Sequence, residues 1–512
     1  MNARPKSLYG AKTAIACGHH LATQTAKECL DAGGSLADAM IAASAVLSVA
    51  LPHATSMGGC GMALYLDGAT GQVHGLNGTG RAPLRATPEA FTAGMPQRGV
   101  RAAVTPTLVR LWARLHERFG RQDWASLLAP AIRLAAQGVA APEELVRNLA
   151  KLPASHTEQP GFAAMFKPAG RPLAAGDRML QPHLAQVLRD ITEHGEAGFY
   201  QGRAAASLAD FSRRHGGLLS LDDFDVAQAD WVTPWSCRMG DTDIYAMPPN
   251  SVGALMLRQL EVWHAAGRAG GAEGMAADIE NAMAIIAQGH DLIGDPARTP
   301  LQPARFGLNG NAPQTPGHAA LNAARLAKGD TAGFVAMDDE GNAVAMLQSV
   351  FQPFGSCAVD PSTGILLNNR MFDFSPEPGL ANSVGPGMRP AHTLNPWLML
   401  DSGGAYMAGV SPGGVSQTTT GFQVASRALG GADTLGQLVS YPRWSLSRTG
   451  EALLEPGIAP EVAQLLRAHG HRVIENSDHE FYFGSAKLIR RLPQGWLEAA
   501  ADARRQATAL AW

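Results

Sequence analysis

Cysteine is scarce in this 512-residue chain. The five residues, Cys17, Cys29, Cys60, Cys237 and Cys357, are odd in number and match no CxxC or zinc spacing. That excludes a disulfide framework as the main support and points to reduced thiols. Charge is also sparse: Asp, Glu, Lys and Arg make up 17% of residues, and the net charge is only −3. No basic stripe or polybasic run is present, which argues against nucleic acid and a membrane surface as partners. The longest apolar stretch, Ala39 to Leu51, is interrupted by Ser44 and Ser48 and stopped by Pro52. It falls short of the roughly 20 apolar residues needed to cross a bilayer. The opening residues, MNARPKSLYGAKTAIACGHH, lack the apolar core of a secretory leader, so the expected location is cytoplasmic. The histidines are scattered, with no i, i+4 pair on a convincing helix, and no metal is expected.

What is present in quantity is glycine (57 residues), spread along the chain, and an ordinary hydrophobic fraction of 46%. Both fit a large, tightly turned globular core. Residues 21–33 suit a helix closed by Gly33 and Gly34. Ser35 then reads as an N-cap with Asp38 as its box partner, starting a helix that runs to about Ala50 and is apolar on most sides. A short strand is expected near Met62–Leu66. Residues 107–215 read as mainly helical, and 243–262 as strand, proline turn and helix. Residues 297–329 carry little periodicity and read as a mobile connector. The pattern changes at Thr331: TAGFVAM reads as a strand, DDEGN as a turn, and AVAMLQSV as the returning strand. Later come a strand at 405–410, a turn SPGG, and a helix from about Ser416 to Leu429. Strands and helices alternate with hairpins, so the fold class is α+β.

Two places could carry chemistry. Residues 409–413, Gly-Val-Ser-Pro-Gly, match the G-x-S-x-G nucleophile elbow between a strand and a helix. The elbow needs the backbone N–H of the residue after the serine, and Pro412 has none, which removes Ser411 as a nucleophile. Gly413 and Gly414 remain either as amide donors to an anion near a helix N-terminus or as a simple glycine turn. The second place is Thr331. Its hydroxyl is a poor nucleophile unless a base stands beside it, and a free α-amino group on the same residue would supply one. That requires the chain to be cut before Thr331; otherwise Thr331 is a structural strand residue.

Several ordered stretches settle between these readings. HHLATQTAKECLDAGGSLADAMIAASAVL, PHATSMGGCGMALYL, NGTGRAPLRATPEAF, AMPPNSVGALMLRQLE, DTAGFVAMDDEGNAVAM, TGILLNNRMFDFS, MRPAHTLNP and SPGG resemble, in order, motifs of the gamma-glutamyltransferase family of N-terminal-nucleophile hydrolases. The likeness runs from about residue 10 to 445. It implies a four-layered αββα fold of two stacked, mainly antiparallel sheets. It also implies a chain that cleaves itself between Asp330 and Thr331, giving a large subunit (1–330, with the connector at about 297–330) and a small one (331–512) that stay together as one intertwined fold. Thr331 stands at the nucleophile's place. Ser349 stands where the family usually has a threonine whose hydroxyl bonds the nucleophile. Gly413 and Gly414 match the paired oxyanion-hole glycines. The family needs no cofactor, and the resemblance leaves open whether the processed pair stands alone or doubles.

The pocket departs from the family's pattern. The arginine that holds a gamma-glutamyl carboxylate is replaced by Thr79, with Arg81 two residues on. Phe351 stands for an asparagine, Arg370 for a glutamine, and Phe372 for an aspartate. The paired serines are His392 and Thr393. Asp373 is kept at the place of the aspartate that binds the substrate amino group. Arg370 offers a planar fork to a carboxylate, or it pairs with Asp373. The expected substrate is a small amide bearing a carboxylate, in a branch near oxamate amidohydrolase. The alternatives are an acylase or transferase acting on a larger acyl group, favoured by Phe351 and Phe372, and an uncleaved non-catalytic member. No function is read into residues 446–512.

Overall fold

The computed structural model describes residues 6–512, apart from 169, 268–269, 299–301, 311–328, 415, 432, 448 and 477–482. Most of the connector expected over 297–330 lies outside these residues; within it, Pro303–Phe306 forms a 3-10 turn.

Local signals set several elements. Helix α1, Leu36–Ala50, begins at the Ser35/Asp38 capping box, and all of its residues are buried. Strand β1, Cys60–Asp67, follows. Strands β2, Asp330–Asp338, and β3, Ala343–Phe351, form the hairpin expected around the DDEGN turn. Strand β4, Gly404–Val410, leads through the SPGG turn into helix α2, Ser416–Ala428. Strand β5 is Lys487–Arg491.

Two seven-stranded antiparallel sheets result. The first runs Thr508–Ala511, Thr13–Cys17, β2, β3, β1, Gln72–Gly78 and Asp230–Val232. The second runs Leu8–Gly10, Leu497–Ala501, β5, β4, Trp397–Asp401, Thr242–Ala246 and Trp235–Met239. Their inner faces share one apolar layer, in which Met62, Val335 and Leu347 of the first meet Leu398, Ala408 and Ile489 of the second. The outer face of the first sheet packs Phe334 and Met346 under α1 and the helices Leu108–Phe119 and Trp124–Gln137. The outer face of the second packs Met399 and Leu488 under Gly253–Ala265, Gly271–Gly289 and α2. Period-2 alternation in the strands feeds two separate apolar layers at once, which is why these strands read as nearly continuous apolar runs. The architecture is the four-layered αββα arrangement.

The polar residues of α1 have a use. Ser44 donates to the Gln348 side-chain oxygen and accepts from Trp112 Nε1 at 2.6 Å, while Gln348 Nε2 donates to Thr55 Oγ1 at 2.9 Å. This network fixes β3 one residue before Ser349.

Candidate active site

Thr331 lies at the start of β2, where the strand's pairing with β3 is broken. Asp330 faces Phe351 and Ala332 faces Gln348, so Ser349 and Val350 oppose Thr331 alone. A bulge of this kind re-aims side chains. Phe351, at its end, has φ 84°, a strained conformation for a non-glycine residue. The Ser349 hydroxyl accepts from the Phe351 amide at 2.7 Å and donates to the carbonyl oxygen of Asp330 at 2.6 Å. That carbonyl belongs to the peptide bond between Asp330 and Thr331. The expected partner of Ser349 was the nucleophile; in this intact chain it is the carbonyl that the nucleophile would attack.

The other side of the same bond is held by groups to which no role was assigned from sequence. The Thr331 amide donates to Asp330 Oδ1 at 2.8 Å. Arg505 Nη1 donates to the same Oδ1 at 2.5 Å and to the Thr331 carbonyl at 3.4 Å, and forms an ion pair with Glu144 Oε1 at 3.3 Å without a hydrogen bond. His53 Nε2 stands 3.6 Å from Asp330 Oδ2. His53, Glu144 and Asp330 converge closely enough to suggest a metal site, but the Arg505 guanidinium lies between both carboxylates and supplies the positive charge there. Burial lowers the His53 imidazole below its ordinary value, so it is neutral, against the opposing pull of Asp330 and Glu144. Burial alone would raise the Asp330 carboxyl, but the Arg505 guanidinium, helped by the Thr331 amide, brings it below the usual range. Lys487, also buried, donates to the Ser485 carbonyl and hydroxyl, and its ammonium is pushed down to about 7 by burial and by Arg505.

The glycine turn closes the site from the second sheet. Gly413 and Gly414 have φ of 146° and 65°, conformations that side chains rarely adopt. Neither amide has an acceptor among the described residues. A Cβ on Gly329 would lie 3.0 Å from the Gly414 Cα, so this turn packs against the chain just before the Asp330–Thr331 bond. Ser411, by contrast, offers its hydroxyl only to the Pro412 carbonyl, at 3.5 Å.

The pocket residues form a continuous cluster with this centre. The Arg370 guanidinium lies 4.2 Å from the centroid of the Phe351 ring. Arg370 Nη1 pairs with Asp373 Oδ2 at 2.8 Å. Its Nε and Nη2, which make up the other edge of the fork, are buried without a hydrogen-bond partner. His392 accepts from the Leu394 amide at Nδ1, so its Nε2 proton faces Cys60 Sγ at 3.1 Å. Burial, reinforced by Arg370, pushes His392 well below its ordinary value, and burial raises the Cys60 thiol despite Arg370. The Thr393 hydroxyl is buried and unpartnered. Arg81 is not part of this cluster: it is tied to Asp230, Asp295 and the Gly387 carbonyl. The buried space beside Thr79 is used by Arg389, whose Nε donates to the Thr79 carbonyl at 3.2 Å.

The profile of the gamma-glutamyltranspeptidase family matches residues 22–512. The chain belongs to that family. It is 30% identical to the glutathione hydrolase-like YwrD proenzyme of Bacillus subtilis over 98% of both chains. It is 31% identical to the oxamate amidohydrolase proenzyme of Klebsiella pneumoniae, covering 95% of this chain and 96% of that one. Among solved structures, the cephalosporin acylase from Bacillus halodurans superposes with a TM-score of 0.90 at 26% identity, over 100% of this chain and 98% of that one. The relatives are hydrolases acting on amide bonds. No helix among the described residues is long and apolar enough to cross a membrane.

Proposed function

We propose that the chain is an autoprocessing amidohydrolase that cuts itself between Asp330 and Thr331 and then uses Thr331 as an N-terminal nucleophile. The observation that carries this reading is the Ser349 hydroxyl, 2.6 Å from the Asp330 carbonyl oxygen, at a bulge that isolates Thr331. A donor placed on that oxygen polarises one particular peptide bond and stabilises the charge that develops when it is attacked. The freed α-amine of Thr331, with an ordinary pKa of about 8, then serves as base for an external substrate. Gly413 and Gly414 supply the amides for that second oxyanion.

Cleavage on this reading does not separate the pieces. Strand β2, from the small piece, pairs with Thr13–Cys17 of the large piece, and β3 pairs with β1. The two fragments therefore share one sheet. The reading needs no cofactor and involves neither nucleic acid nor membrane, and a cytoplasmic site remains part of it.

For the substrate we assign a small amide carrying a carboxylate. Arg370 does pair with Asp373, yet the pair consumes only Nη1. The Nε/Nη2 edge is left for a bidentate acceptor beside the Phe351 ring. Asp373 orients the fork and also lies where a substrate amino group would bind. A second reading, an acylase for larger acyl groups, is favoured by the apolar Phe351 wall and by the likeness to a cephalosporin acylase.

The test is the intact mass of wild type beside Thr331→Ala, followed by a panel of amides. Fragments 1–330 and 331–512 from wild type alone support the nucleophile. A wild-type chain that stays whole, or a cleaved enzyme that turns over only neutral amides, would sink the corresponding half of the proposal.

A further inference from the structure

In the uncut chain the nitrogen of Thr331 is an amide, so the base that serves the mature enzyme does not yet exist. Attack by the Thr331 hydroxyl on the Asp330 carbonyl still requires a proton to leave Oγ and a proton to reach the departing nitrogen. One group already touches that nitrogen: Asp330 Oδ1, which accepts the Thr331 N–H at 2.8 Å. The other carboxylate oxygen, Oδ2, has no hydrogen bond. Building on the reading of Thr331 as nucleophile, we propose that the Asp330 side chain is the catalytic proton relay of self-cleavage and that Arg505 is the residue that positions it.

The step balances. The Thr331 Oγ–C bond to Asp330 forms while the Oγ proton passes to the Asp330 carboxylate. Charge on the carbonyl oxygen is met by the Ser349 hydroxyl. The C–N bond then breaks as the carboxyl returns that proton to the Thr331 nitrogen. The products are an ester between Asp330 and Thr331 and a free amine. Water hydrolyses the ester, leaving the Asp330 α-carboxylate and the Thr331 hydroxyl.

Arg505 contacts both sides of the bond, through Asp330 Oδ1 at 2.5 Å and the Thr331 carbonyl at 3.4 Å. It holds the carboxylate ionised and against the nitrogen. The remaining groups facing Asp330 are the neutral His53 at Oδ2 and, through Arg505, Glu144 and Lys487. Both ring nitrogens of His53 are buried without a hydrogen bond, and Nε2 stands 3.6 Å from Oδ2, so His53 is not hydrogen-bonded to the carboxylate. A carboxylate held below its usual range is a weak base but a strong acid. That suits a group that must give its proton up at once.

The experiment follows self-cleavage of the full-length chain by intact mass. Asp330→Asn keeps the shape and an acceptor oxygen but cannot hold the proton, and a lost acid–base group slows a step by about 100-fold or more. Asp330→Ala is expected to be slow and to be accelerated by added formate but not by formamide, because formate can occupy the vacated place beside Arg505. Arg505→Met removes the cation that opposes burial, so its cleavage should fail as pH drops through the ordinary carboxylate range, where wild type still cleaves. Asp330→Asn cleaving within about threefold of wild type would overturn the relay, as would a slow Asp330→Ala that formate does not speed. An unchanged pH profile in Arg505→Met would overturn the positioning role. Thr331→Ala separates the two levels. If it cleaves, the nucleophile reading fails; if it is inert while Asp330→Asn behaves as wild type, only the relay fails.

Discussion

Replacing Ser349 by alanine tests the geometry most directly, because one hydroxyl makes two contacts that matter. It is fully buried, accepts from the strained Phe351 amide and donates to the Asp330 carbonyl. Only the part of that second bond that strengthens as the carbonyl becomes an oxyanion affects the rate. A neutral hydrogen bond is worth about 1 kcal/mol net and one to a charged group about 1.5–3. The difference, about 0.5–2 kcal/mol, corresponds to a slowing of about 2- to 30-fold. Donors in dry, preorganised oxyanion sites have larger effects, about 100- to 1000-fold. Asp330 and Ser349 are both fully buried, so the value expected here lies near the junction of the two ranges, at roughly 100-fold. The variant also leaves the Phe351 amide and the carbonyl unsatisfied, at about 1–3 kcal/mol of stability. The assay is a time course of intact mass after rapid purification, with thermal melting as the control for folding. Ser349→Thr keeps the hydroxyl and is expected to cleave. The reasoning is refuted if folded Ser349→Ala cleaves at nearly the wild-type rate, or if Ser349→Thr is equally slow.

Two further outcomes follow from buried charge. Arg370→Met removes the open edge of the fork, so KM for a carboxylate-bearing amide should rise by about 10- to 100-fold, from loss of one or two charge-assisted bonds, while a matched neutral amide is little affected. Because breaking a buried ion pair by removing one member costs about 3–5 kcal/mol, Arg370→Met/Asp373→Asn is measured alongside, by KM and melting temperature. Lys487 gives a pH signature. Its folded pKa of about 7 lies below the ordinary lysine value, so folding disfavours its proton. The penalty is fully present below pH 7 and disappears as pH rises toward 10.5, a span worth at most ~5 kcal/mol. The melting temperature of wild type should therefore approach that of Lys487→Met as pH is raised from 7 to 10, and a constant gap would contradict the assignment.

The features legible in sequence are those whose partners are near in the chain. The Ser35/Asp38 box fixed the start of α1 because both members of the cap lie within one turn. The β2–β3 hairpin was readable because its turn residues are contiguous. Pro412 excluded Ser411 by the chemistry of a single backbone nitrogen. The Arg370–Asp373 pair was one of two stated readings because the residues are three apart. The role proposed for Thr331 came from family motifs alone, since a strand-initial threonine is otherwise ordinary. Arg505 was not legible. It lies 175 residues from Asp330, in a stretch with no motif, and only the return of the chain's last segment to the first sheet brings it there. His53 sat within a quoted motif without a partner to give it meaning. Arg81 was assigned to the pocket by proximity in sequence, and the fold turned it toward Asp230 and Asp295 instead.

The position of Arg505 has a consequence for maturation. Under the proposed cleavage, the large piece would contribute Asp330, His53 and Glu144, and the small piece Thr331, Lys487 and Arg505. The clamp thus spans the bond to be cut. Before cleavage the buried carboxylates of Asp330 and Glu144 are met chiefly by one guanidinium. On the proposed cleavage, a third carboxylate, the new α-carboxyl of Asp330, would join this buried site, while the compensating amine would appear on Thr331. Like charges so close in a low-dielectric interior repel strongly. On that proposal, departure of the Asp330 end would relieve the repulsion and uncover the Thr331 amine, while the ladder from Ala332 to Met337 lies beyond the bulge. On the proposed reading, the same residues that hold the Asp330–Thr331 bond would therefore disfavour retention of the product, and Thr331 would be exposed without unpairing the sheet.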